Sequence, residues 1–154
     1  MEHSRCWLLA ALSLVLAMLA LPSTLAGGEQ PTLEELKARL ADASISERPV
    51  LCIHISERQL DAADKYYVAG DSEQAKAALA DVVAYSELAR DYAIQSRKHE
   101  KQSEIAIRKM ARKLADIKHA VSHEEQEQVE STIAQLQRVR DDLLAAMFPK
   151  GVKK

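Results

Sequence analysis

Beyond residue 31, apolar residues recur at intervals of three and four along most of the chain, the period of amphipathic helices. Leu33, Leu36 and Leu40 form a narrow stripe behind Thr32, and Glu35 stands three residues after that threonine. This is a capping box, and it predicts a first helix from Thr32 to about Ala43. A second begins after Ser46, with Pro49 in the first turn, where amide donors have no helical partner. It runs to Ala69 and stops at Gly70, a natural left-handed cap. The third starts after Asp71 or Ser72. No Gly or Pro follows before Phe148, so only side-chain chemistry can end it. Ser122 and Glu125 supply a second capping box, with Glu127 near the same positive helix end. The fourth helix then spans about His123 to Met147. The last residues, 152–154, read as a frayed tail.

Two short turns imply two antiparallel hairpins. With equal rise per residue on both arms, a turn at Gly70 and Asp71 pairs residues whose numbers sum to about 141. Tyr66 then faces Ala75, Tyr85 faces Ser56, Ala89 faces Cys52, and Tyr92 lies near Pro49. Large residues sit over small ones, which lets the helices approach closely. All four tyrosines fall in this hairpin, where core packing with outward hydroxyls accounts for them. A turn at Val121 and Ser122 gives a sum of about 243. Val129 faces Leu114, Ile133 faces Met110, and Leu136 faces Ile107. One stretch fits poorly. Residues 95–104 contain no apolar side chain, yet they lie opposite Val139, Leu143, Leu144 and Met147.

The resulting fold class is all-α: antiparallel helical hairpins sharing a long central helix of about 47 residues, roughly 70 Å. The short first helix would cover the junction of the second and fourth. A bend between Ser96 and Ser103 gives the alternative, a compact four-helix bundle. The continuous helix is preferred because kinks usually need Pro, Gly or an inserted group. An apolar patch at the junction would favour a homodimer.

Tyr66, Gly70, Asp71, Ala75 and Leu79 fall at the spacing of a tetratricopeptide repeat across its internal turn. The stretch resembles that family over some 14 residues, 66–79. Gln59 and Ala62 replace large residues expected upstream, Glu87 replaces a helix-ending proline, and no copy follows at a period of 34. The stretch is therefore read as one tight hairpin, without the family's peptide binding. Residues 121–126 resemble the LTxxQ motif of periplasmic stress- and metal-responsive helical proteins, with Gln126 one position late. Capping chemistry explains those residues equally well.

Composition adds export to this picture. Arg5 precedes a fifteen-residue apolar run at 7–21, broken by Pro22 and Ser23, with small residues before Ala26. This predicts a signal peptide over 1–26, cleaved near Ala26, and a single helical domain over 27–154 in the periplasm or outside the cell. An uncleaved anchor is the alternative. Cleavage removes Cys6 and leaves Cys52 alone in an apolar run, read as a buried, unreactive thiol.

The formal net charge is −2, but it is unevenly spread. Residues 27–96 carry seven Lys or Arg against thirteen Asp or Glu, whereas residues 97–119 carry eight against three. Arg97, Lys101, Arg108 and Arg112 share one helical face by spacing. Nucleic acid does not fit an exported chain, which leaves a protein or an anionic envelope component as partner. Lys113 and Lys118 are expected to pair with Glu130 and Glu124. For metal, His119 and His123 with Asp116 are the nearest approach to a ligand set, but Ser122 caps a new helix between them. His54 and Glu57 stand apart. Asp61, Asp64, Glu57 and Glu87 form an ordinary charged helix surface. No nucleophile elbow or phosphate loop occurs. The reading is an exported, non-enzymatic helical protein that binds a macromolecule or itself, with no catalytic residue, cofactor, metal or small-molecule substrate. The alternative is a periplasmic stress- or metal-responsive adaptor or chaperone.

Overall fold

The computed structural model describes residues 31–149, which belong to one compact unit. The leader at 1–26 and the tail at 152–154 lie outside the described residues. Five helices occur among the described residues: α1 Leu33–Asp42, α2 Arg48–Ala69, α3 Ser72–Ser96, α4 Glu100–Ala120 and α5 His123–Met147. Among the described residues there is no strand and no helix long and apolar enough to cross a membrane.

Caps set the helix ends. The Thr32 N–H donates to the Glu35 carboxylate at 2.8 Å, and the Glu35 N–H donates back to the Thr32 hydroxyl at 3.2 Å. Gly70 takes φ 77° and ends α2. Its N–H and that of Asp71 reach back to the carbonyls of Tyr67 and Tyr66. Asp71 then caps α3 by accepting from the Gln74 N–H. At the second turn, the Ser122 N–H and hydroxyl both donate to Glu125, at 2.9 and 2.7 Å. Ser72 donates to the same carboxylate and ties the two turns together. These three bonds hold the Glu125 carboxyl below its usual range.

The α2–α3 hairpin has the expected register. The Ser56 and Ser86 hydroxyls meet at 2.9 Å, Gln59 donates to Asp81, and the Arg48 guanidinium lies 5.2 Å from the Tyr92 ring centroid. Each pair sums to within one of 141. Small residues at this interface, Cys52, Ala75 and Ala89 among them, are fully buried. In the α4–α5 hairpin, Arg140 donates to Glu104 at 2.7 Å, one off the expected sum of 243.

The central helix is not continuous. It ends at Ser96 and restarts at Glu100, with Arg97 and His99 both left-handed at φ 54° and 64°. Arg97 does what Gly70 does: its N–H and that of Lys98 return to the carbonyls of Ile94 and Ala93. A left-handed conformation costs a non-glycine residue roughly 1–2 kcal/mol. Burial offsets it. Val139 and Leu143 share one core cluster with Ala89 and Ala93.

The two hairpins lie side by side. α3 packs against α5 and α2 against α4, while the α2 and α5 backbones stay apart across the core. Links such as Arg90 to Asp142 and Lys113 to Asp61 show that both cross-hairpin pairs run parallel. The hairpins also bury equivalent positions. Cys52, Ile53, Ser56, Gln59 and Ala63 on α2 precede Ser103, Glu104, Ile107, Met110 and Leu114 on α4 by 51 positions each. Leu79, Val82, Ser86, Ala89 and Ala93 on α3 precede Val129, Thr132, Leu136, Val139 and Leu143 on α5 by 50. Six of these ten pairs hold a smaller residue in the first hairpin and a larger one in the second, and both sets contribute to one core cluster. α1 packs on α2, where Leu36 joins Leu51 and Ile55.

Candidate functional site

Two surfaces of α4 stand out. The first is its outer face. Lys101, Lys109 and Arg112 are exposed there, with Arg97 and Lys98 exposed in the preceding joint. None of these five forms an ion pair among the described residues. The helix break removes Arg97 from the face expected for it, because 97–99 is not helical. Arg108 is on the face but lies 3.7 Å from Glu104. That carboxylate is 9% exposed and is held mainly by Arg140. The pairs expected for Lys113 and Lys118 are also different. Lys113 bonds Asp61 at 2.7 Å and lies 3.8 Å from Asp64. These carboxylates raise the Lys113 pKa, through the Asp61 hydrogen bond first. Lys118 pairs with Glu130 at 3.1 Å.

The second surface is a cleft of about 300 Å³ between α2 and the start of α4, lined by Val50, Ile53, His54, His99, Gln102 and Ser103. The helix break builds it. His99 is the N-cap residue of α4, and its Nδ1 lies 3.0 Å from Gln102 Oε1. That oxygen only accepts, so Nδ1 carries the hydrogen. The two histidines come from segments 45 residues apart, and periodicity alone did not bring them together. The signal that could have found the cleft was the ten-residue gap in the apolar pattern.

The remaining candidates fall as follows. His119 is in the last turn of α4 and His123 is the first residue of α5, with the turn at 121–122 between them. No group of three or more His, Cys, Asp or Glu able to hold a metal occurs among the described residues. Asp61 and Asp64 converge on Lys113, whereas Glu57 and Glu87 are exposed elsewhere. Cys52 is fully buried, and desolvation pushes its thiol up to about 12. The tyrosines depart from expectation at one point. Tyr92 accepts from Arg48 at 3.4 Å, but the Tyr67 hydroxyl is buried with no partner among the described residues. Burial, and then the Glu125 charge, raise its pKa.

No family model, curated protein or solved structure matches this chain.

Proposed function

We propose that this is an exported, non-enzymatic helical adaptor that binds an acidic protein through the outer face of α4. One observation carries the reading: five cations between positions 97 and 112 have no ion-pair partner among the described residues. Other cations on the same helix are occupied, since Arg108 lies beside Glu104, Lys113 on Asp61 and Lys118 on Glu130. A face of unpaired charge raises association rates with a complementary partner and loses that advantage in salt. The leader read over 1–26 supports an exported setting.

The test is crosslinked capture from intact cells, comparing the native chain with a Lys109→Glu, Arg112→Glu double variant. Capture of an acidic protein, lost in the variant and weakened at high salt, is the expected result. Arg108 is left alone because its change would disturb Glu104. Capture that survives charge reversal overturns the proposal. A concentration-dependent dimer in sedimentation that also survives it would put a second copy in the partner's place.

A further inference from the structure

We propose that the cleft between α2 and the start of α4 binds a small organic anion, with a phosphate or carboxylate head on a short apolar body. The first argument is an unpartnered hydroxyl. Among the described residues the buried serines and threonine are Ser56, Ser86, Ser103 and Thr132, each 1% exposed or less. Ser56 and Ser86 bond each other, and Thr132 donates to the Gln128 carbonyl. The Ser103 hydroxyl bonds nothing among the described residues, and Ser103 lines the cleft. Among the described residues the fully buried side-chain polar atom without a partner is the Tyr67 hydroxyl, so the Ser103 hydroxyl keeps access to the cleft, where a ligand or water can bond it.

The second argument is the helix end beside it. α4 has no side-chain cap. The first amide donors of a 21-residue helix are therefore left without a helical partner, and the positive end of its dipole opens at the cleft wall. His99, the N-cap residue, also lines the wall, so cleft and helix end coincide.

The chemistry of the lining agrees. His54, His99, Gln102 and Ser103 can all donate, and no carboxylate lines the cleft. With Gln102 Oε1 accepting from His99, its amide nitrogen is turned to other acceptors. Val50 and Ile53 supply an apolar wall. A volume of about 300 Å³ exceeds what a bare oxyanion fills, so the head group would carry a hydrocarbon portion over those two side chains. Arg97, Lys98 and Lys101 surround the helix start with positive charge. Glu100 and Glu104 adjoin lining residues in sequence, but neither lines the cleft, and the Glu104 carboxylate is taken up by Arg140.

Titration calorimetry of the whole exported chain with hexyl phosphate, hexanoate, inorganic phosphate and hexanol tests this. Hexyl phosphate or hexanoate should saturate one site, inorganic phosphate should bind more weakly, and hexanol should not saturate. Ser103→Ala and His99→Gly should each weaken hexyl anion binding roughly tenfold, the scale of one hydrogen bond to a charged group. His99→Gly also suits the left-handed backbone, so an unchanged or higher urea midpoint shows that the loss is not unfolding. Phosphatidic acid vesicles that displace hexyl phosphate would identify a lipid head group as the source. Displacement by soluble phosphomonoesters alone would identify a free solute. The inference fails if neither hexyl anion saturates, if hexanol binds as well as they do, or if both variants bind unchanged. None of these substitutions touches Lys109 or Arg112, so this result and the capture experiment fail independently.

Discussion

Two residues end helices in the same left-handed conformation, and only one of them is suited to it. Gly70 is at φ 77°, and a Cβ placed there would meet nothing within 4 Å. Gly70→Ala should therefore cost about 1 kcal/mol, the backbone strain alone. Arg97 is at φ 54° and forms no ion pair among the described residues. Arg97→Gly should gain roughly 0.5 kcal/mol, because relief of strain outweighs the added freedom of the unfolded chain. Opposite shifts of the urea midpoint check both. Cys52 makes a further prediction. Burial raises its folded pKa from 9.0 to about 12, whereas the unfolded thiol ionises normally. The folded chain then holds the proton more tightly, and stability falls as pH rises from about 9 towards 12. The limiting slope is about 1.4 kcal/mol per pH unit. Urea midpoints measured across that range should flatten in Cys52→Ala, relative to the native chain.

At the scale of elements, the caps and registers were legible because each rests on local chemistry. Thr32 with Glu35, Gly70 with Asp71, and Ser122 with Glu125 are short-range signals, and each falls at a helix boundary. The break at 97–99 was not legible in the same way. Neither Gly nor Pro marks it, and Arg97 and His99 take left-handed backbone in a fold whose core is assembled from distant segments. The polar run 95–104 was the available clue, and it supported the bundle alternative over the continuous helix. The cleft was illegible for the same reason, since His54 and His99 meet only once the helix is broken. One bond should report how firmly α4 and α5 are joined. Glu104 is 9% exposed and accepts from Arg140 at 2.7 Å. Arg140→Ala leaves that carboxylate with only the more distant Arg108, and should cost about 2–4 kcal/mol. Replacing both Glu104 and Arg140 by Leu should cost far less, because no buried charge is then stranded. Chemical denaturation of the single and double variants separates the two outcomes.

Over the whole described unit, the hairpins are equivalent in outline and unequal in side-chain size, which decides how they can unfold. Where α2 and α3 place Ser56, Ala63, Ser86, Ala89 and Ala93, α4 and α5 place Ile107, Leu114, Leu136, Val139 and Leu143. The first hairpin alone would lack apolar volume along much of its inner face. The second alone would expose large side chains with nothing to cover them. One core cluster contains residues from both, from Cys52 through Ala93 to Leu143. The surface ion pairs that also cross the boundary, Arg90 with Asp142 and Lys113 with Asp61, are partly exposed and add at most about 1 kcal/mol each. Shared burial is thus the main coupling, and the hairpins should unfold together. Cys52 provides a probe within the first hairpin, because its thiol is hidden in the folded chain and unreactive until α2 and α3 separate. Its labelling by a thiol reagent in urea should follow the loss of helical circular dichroism at the same midpoint. Filling the first hairpin with Ala89→Leu should overpack the core and lower both midpoints together. A labelling midpoint well below the helicity midpoint would show that the first hairpin opens while the second holds, and that the sharing of side-chain volume between them is not what joins them.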